Sequence, residues 1–134
     1  KWGYHTTFYG KGSIEIGAGS YLGHNCFISS RLAGDRIIIG EGCSISHNVH
    51  LRTGKHKRVF HFRDERKGNP VSDDISIGSY VWIGANVFIS GGVVIGNNVI
   101  IGANSVVTKD LPDNTIWGGV PARLIRDKKD YMID

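Results

Sequence analysis

Cysteine is scarce: Cys26 and Cys43 are the only two in 134 residues. Neither stands in a C-x-x-C pair, so a disulfide scaffold is excluded, and both read as buried thiols of a reducing compartment. No run approaches the roughly 18 consecutive apolar residues of a membrane span. The opening, Lys1-Trp2-Gly3-Tyr4-His5, has neither an initiator methionine nor the apolar stretch of a secretory leader. We therefore expect a trimmed start and a cytoplasmic protein. No basic-aromatic motif of the known nucleic-acid modules occurs, so nucleic acid is not an expected partner. The formal charge of +4 is mild, but it is local. Six Lys or Arg residues fall between Lys55 and Lys67, and Arg123, Arg126, Lys128 and Lys129 form a second group. Such clusters are either solvated loops or attractors of phosphates and acidic sugars.

Glycine is plentiful, at 19 residues without collagen spacing. That prompts a search for repeats. Ile77, Ile83, Ile89, Ile95, Ile101 and Val107 recur every six residues, and Val81, Val87, Val93, Val99 and Ser105 recur four places after them. Earlier copies start at Ile16, Leu22, Ile28, Ile39, Ile45 and Leu51. A helix advances about 100° per residue, so a six-residue period would scatter these aliphatics around its axis. A continuous flat strand would not tolerate so much Gly and Asn. A short strand followed by a corner, repeated, satisfies both. Aliphatic and small residues then point inward, and Gly and Asn supply the positive φ of the corners. Three such sides close a triangular coil, and coils stack through parallel pairing, which buries the aliphatic columns. The expected fold is an all-β solenoid forming one domain over residues 1–134.

Interruptions of the rhythm locate the irregular parts. Ile28 to Ile39 spans 11 residues, one short of two hexads, with the slip between Ser30 and Arg36. Leu51 to Ile77 spans 26, two more than four hexads. The polar stretch 53–74 is read as a loop extruded from the coil. After Val107, Pro112 and Asn114 mark a turn. Thr115–Arg126 is expected as one more irregular strand or coil, and Arg126–Asp134 as a short terminal helix capping the solenoid, within a tail of about 108–134.

The hexads resemble the hexapeptide-repeat acyltransferase superfamily over about residues 12–126. The resemblance implies a left-handed parallel β-helix, although parallel crossovers are ordinarily right-handed. It also implies a homotrimer with sites between subunits. Exposed Tyr80, Trp82 and Phe88 would suit such an interface.

The six histidines then separate. His5 is read as surface and His50 as outward-facing. His24 and His47 share the third hexad place and are expected to stack one coil apart at a corner. His61 lies deep in the loop. His56 ends Val49-His50-Leu51-Arg52-Thr53-Gly54-Lys55-His56, which looks like the segment carrying the catalytic histidine in maltose, galactoside and polysaccharide O-acetyltransferases. A sugar hydroxyl is a weak nucleophile, and a neutral imidazole (pKa about 6.5 when free) can take its proton as it attacks a thioester. Asp64, Glu65, Asp73, Asp74 or a backbone carbonyl are the candidates to orient that imidazole.

Val81-Trp82-Ile83-Gly84-Ala85-Asn86, the stretch from Ser105 to Pro112, and Gly118–Arg126 resemble the cofactor side of the same enzymes. By position this implies acetyl-CoA contacts at Trp82, Ala85, Ala103, Thr108, Lys109, Arg123 and Arg126, with small residues along the pantetheine arm and cations at the phosphates. No metal is expected. Galactoside acetyltransferases carry an acceptor-binding Asn in an early coil, and Gly23, His24 and Asn25 fall there. His24 and Asn25 are therefore the candidate acceptor contacts. The departure at this place, and the lack of those enzymes' helical N-terminal segment, turn the expected acceptor from a free sugar to a surface polysaccharide or lipopolysaccharide precursor. Rival readings are N-acetyl transfer to an amino-sugar nucleotide, a non-catalytic assembly solenoid, and a γ-carbonic-anhydrase-like zinc enzyme using His56 and His61.

Overall fold

The computed structural model describes residues 1–54 and 73–128. Fifteen short strands and no helix occur among them. They stack into three sheets, parallel but for one pair at the C-terminal end. One holds β1 (Thr7–Tyr9), β4 (Phe27–Ser29), β7 (His50–Arg52), β10 (Phe88–Ser90) and β13 (Val106–Val107). The second holds β2 (Ser13–Ile16), β5 (Arg36–Ile39), β8 (Ile75–Ile77) and β11 (Val94–Ile95). The third holds β3 (Tyr21–Leu22), β6 (Ser44–Ile45), β9 (Trp82–Ile83), β12 (Ile100–Ile101), β14 (Thr115–Gly118) and β15 (Arg123–Asp127). From β1 to β14 consecutive strands belong to different sheets, so the chain winds as a three-sided coil.

Register explains the hexad. Leu22, Ile45, Ile83, Ile101 and Trp117 lie in one column. Ile28, Leu51, Ile89 and Val107 form a second, and Ile39, Ile77 and Ile95 a third. All are buried, as are Val49, Val81, Val87, Val93 and Val99 at the fifth hexad place. Cys26 and Cys43 are buried free thiols in this core.

The corners carry the positive φ that the Gly-Asn pairs imply. Asn25, Asn48, Asn86 and Asn104 lie near +60° at one corner, and Asn98 and Asn114 at another. Asparagine tolerates this region, and its amide satisfies a neighbour. Asn48 Nδ2 donates to Asn86 Oδ1 at 2.7 Å, and Asn86 Nδ2 to Asn104 Oδ1 at 3.0 Å. Tyr80 is an exception, an aromatic residue at φ 59°. It is accommodated because Gly42, the corner residue of the adjacent coil, leaves room for its ring.

Both interruptions fall at the third corner and are tied together by buried carboxylates. Thr53 Oγ1 donates to Asp35 Oδ2 at 2.7 Å and accepts the Arg31 N–H at 2.9 Å. The Gly54 N–H donates to Asp73. Arg36 pairs with Asp74 at 3.2 Å. The chain therefore leaves the coil at Gly54 and rejoins it at Asp73 from feet pinned to the slipped segment.

The C-terminal segment departs from expectation. Arg126 and Asp127 lie in a strand, not a helix: β15 runs antiparallel to β14, pairing Thr115 with Asp127 and Gly118 with Arg123. The reversal uses Gly119 at φ 106° and the Val120–Pro121 cis bond. Residues 129–134 lie outside the described residues.

Candidate active site

Residues two places past the six-stranded sheet's core column meet at one corner. In coil order they are Tyr4, His24, His47, Ala85 and Ala103. Each imidazole closes a hydrogen bond to the coil before it. His47 Nδ1 accepts the His24 N–H at 2.8 Å, and His24 Nδ1 accepts the Tyr4 N–H at 2.6 Å. The rings of His24 and His47 stack at 4.8 Å with planes 4° apart, and Tyr4 stacks on His24 at 5.2 Å. The stacking expected from their shared hexad place is present. Because Nδ1 accepts, the single proton of each neutral ring sits on Nε2.

Towards the C-terminus the same column narrows to alanine. Ala85 is half-buried and Ala103 exposed. The coils approach closely here, and a side chain added at Gly84 would stand 2.7 Å from the Ala103 nitrogen. The edge is therefore a shallow track bordered by small groups. Trp82 lies beside it on the outer face of β9, 58% exposed, with Ser44 and Ile100 as its register neighbours. Further along that outer row, Ile116 pairs with Arg126. Thr108, Lys109, Arg123 and Arg126 are all exposed at the C-terminal end. Lys109 Nζ lies 5.9 Å from the centroid of the Trp117 ring, a cation–π placement.

Asn25 is exposed and turns the corner beside His24. His5 and His50 are exposed, as expected. His56 and His61, with Asp64 and Glu65, lie outside the described residues. Of the candidate orienting groups, Asp73 accepts the Gly54 N–H and Asp74 accepts from Arg36. Among the described residues no three His, Cys, Asp or Glu side chains converge on a metal position.

A groove of about 650 Å³ opens at the N-terminal end of the imidazole column, lined by Trp2, Tyr21, Leu22, His24 and His47 among others. The signal of His47 in the sequence is that it repeats the hexad place of His24. Tyr21 carries none, because an outward aromatic leaves no mark on a rhythm of inward aliphatics, and Trp2 carries none because it holds the inward place beside Leu22 in a coil without a hexad of small aliphatics.

Residues 74–109 match the family model described as bacterial transferase hexapeptide (six repeats). A galactoside O-acetyltransferase of Escherichia coli (strain K12) is 38% identical over 118 residues, covering 88% of this chain and 56% of that protein. A hexapeptide-repeat acetyltransferase from Vibrio cholerae O1 biovar eltor, solved with acetyl coenzyme A, superposes with a TM-score of 0.72 at 32% identity, covering 96% of this chain and 70% of that one. A galactoside acetyltransferase solved with coenzyme A gives 0.68 at 33% identity, covering 94% and 67%. This chain belongs to the hexapeptide-repeat acetyltransferase superfamily. Its coil is accordingly the left-handed parallel β-helix, against the usual right-handed preference of parallel crossovers. As a superfamily member it spans little more than half the length of the galactoside O-acetyltransferase it matches.

Proposed function

We propose that this chain transfers the acetyl group of acetyl-CoA to a sugar hydroxyl, in a surface polysaccharide or lipopolysaccharide precursor. The observation that carries this is the corner column that changes from imidazole at His24 and His47 to alanine at Ala85 and Ala103, with Trp82 alongside. One edge thus offers hydrogen-bonding groups to an acceptor and a narrow track to a thioester arm. His24 and Asn25 contact the acceptor. Ala85 and Ala103 border the pantetheine, Trp82 covers it, and Thr108, Lys109, Arg123 and Arg126 meet the nucleotide phosphates.

In the reaction the acceptor oxygen attacks the thioester carbonyl while the His56 imidazole takes the hydroxyl proton. The C–O bond forms, the C–S bond breaks, and the proton passes from the imidazole to the departing sulfur of CoA. Backbone N–H groups are the donors for the transient oxyanion. The protein acts in the cytoplasm, where acetyl-CoA is made, as a trimer with sites between subunits. Trp82, Tyr80 and Val94, each at least half exposed, supply apolar surface for such contacts.

A thioester-consumption assay across sugars, amino-sugar nucleotides and oligosaccharides tests the function. The expected product is an ester that neutral hydroxylamine cleaves. A hydroxylamine-stable amide would point to N-acetylation, and no consumption with any acceptor would sink the transferase reading. The track has its own test. Ala103→Leu should raise KM for acetyl-CoA by about tenfold or more, since displacing a bound arm costs at least about one side chain's contacts. An unchanged KM would move the arm elsewhere.

A further inference from the structure

We propose that the His47 ring is the wall that ends the thioester track, and that it limits the acyl group carried there to acetyl or propionyl. The inference rests on the acetyl-CoA reading above and adds which residue sets the length of the transferred group.

On that reading the arm runs from its phosphates at Lys109, Arg123 and Arg126 past Ala103 and then Ala85, one coil at a time towards the N-terminus. The next residue of the same column is His47, since Ile45, Ile83 and Ile101 are register neighbours and each stands two places before its column residue. Coils stack at about 4.8 Å, so an imidazole where the next two coils have a methyl shortens the open track by a whole coil. The ring is held in place from behind. Its Nδ1 accepts the His24 N–H at 2.8 Å, and one face is stacked on the His24 ring at 4.8 Å with planes 4° apart. It also lies against the Gly23 backbone, where any added side chain would collide with it. Turning the ring aside would forfeit the bond and the stack together. Its other face has no ring against it, because the column continues as Ala85.

A second observation ends the track at the same residue. At another corner the third hexad place carries an acceptor in successive coils: Ser79 Oγ accepts the Glu41 N–H at 3.2 Å, Asn97 Oδ1 the Ser79 N–H at 2.8 Å, and Asp113 Oδ1 the Asn97 N–H at 2.7 Å. At the imidazole corner that series stops at His47 Nδ1. Ala85 and Ala103 offer no acceptor, and the N–H groups of His47 and Ala85 have no hydrogen-bond partner among the described residues. Backbone donors left open beside small apolar groups suit a ligand that brings its own carbonyls. Nor does holding the coils together require a ring, since Asn97 makes the equivalent bond with a shorter amide. What imidazole adds is bulk across the column, at the point where the open donors begin.

Bond and bulk can be separated by substitution. His47→Asn keeps an acceptor for the His24 N–H and removes the ring. His47→Phe keeps a ring and removes the acceptor. Titration calorimetry without any sugar, using CoA, acetyl-CoA, butyryl-CoA and hexanoyl-CoA, reads the fit of each acyl group. The wild-type chain should bind butyryl-CoA at least about tenfold more weakly than acetyl-CoA, because a fixed wall rejects extra methylenes. In His47→Asn that gap should close, while affinity for CoA, which carries no acyl group, stays as in the wild type. His47→Phe should keep the wild-type order and show a lowered thermal midpoint instead. Wild-type preference in His47→Asn, a relaxed preference in His47→Phe, equal binding of acetyl-CoA and butyryl-CoA by the wild type, or no binding of any acyl-CoA would overturn the proposal. Acyl-CoA binding with this pattern but no turnover with any sugar acceptor would refute the transferase reading and leave the wall standing. Turnover of acetyl-CoA with a chain-length dependence indifferent to His47→Asn would do the reverse.

Discussion

His56→Ala should lower kcat by at least about 10²-fold, the lower end of what a positioned general base contributes, while affinity for CoA stays nearly intact. The separation follows from where the two jobs fall along the chain. The cofactor-side candidates stand on the coil itself and its last hairpin, from Trp82 to Arg126, and their backbone is fixed by parallel pairing at β9 and β12 and by the β14–β15 hairpin. His56 follows two residues after Gly54, whose N–H is tied to Asp73. Thr53 is held by Asp35 and by the Arg31 N–H. Removing an imidazole beyond that anchored foot leaves every one of these bonds in place. Steady-state kinetics with saturating acceptor, alongside calorimetric titration with CoA, separate the two quantities. Loss of CoA affinity with kcat preserved would reassign His56 to the cofactor side.

How far the sequence reveals this architecture depends on which force sets each feature. The columns from Leu22 to Val107 are legible because burial admits only apolar side chains at every sixth residue, and burial is local to the hexad. The corners were legible for the same kind of reason: Asn48, Asn86 and Asn104 hold a backbone conformation that most residues avoid. The first coil was harder to see. Trp2 already pairs with Leu22, and Thr7–Tyr9 with Phe27–Ser29. Its inward residues are Trp2 and Phe8 rather than small aliphatics, so the rhythm is absent where the coil begins. The handedness of the winding came from family likeness, because inward periodicity is the same for either hand. The helix expected from Arg126 onward is absent at Arg126 and Asp127 for a further reason. The charged run Arg123–Asp127 has no alternation, and its strand exists only because the Gly119–Pro121 reversal returns it to the open edge of β14.

The candidate site divides in the same way. Stacking of His24 on His47 followed from their common hexad place, and the exposure of Trp82 from its place at the hexad's end. The groove did not follow, since Trp2 and Tyr21 come together with the histidines only through coil stacking. On the proposed function, chemistry at this edge would depend on the scaffold's rigidity, because His24 and His47 sit on the first coils and Ala85 and Ala103 on later ones. A repeat fold transmits order between those coils only through neighbour contacts.

Ile45→Ala should therefore be among the most damaging substitutions outside the site, costing about 3–5 kcal/mol, in the upper range for truncating a large buried aliphatic. Ile45 is fully buried in the column between Leu22 and Ile83. The residues above and below it are held by backbone pairing, so they cannot collapse into the space left by the lost carbons. A loss of that size is a large share of the roughly 5–15 kcal/mol that a domain has in total. Ile16→Ala provides the contrast. Ile16 lies at the open first coil, half-buried beside Trp2, Phe8 and Ile14, and its truncation should cost less than about half as much. Urea unfolding followed by circular dichroism measures both. Because Ile45 lies one register step from Trp82's strand on one side and from the His24 coil on the other, its loss should also lower the amplitude of acetyl-CoA turnover at temperatures where the truncated protein is still mostly folded. Equal costs for the two substitutions would mean that the coils do not act as a stack of neighbours, and that the column from Leu22 to Trp117 is not the structural support of the site.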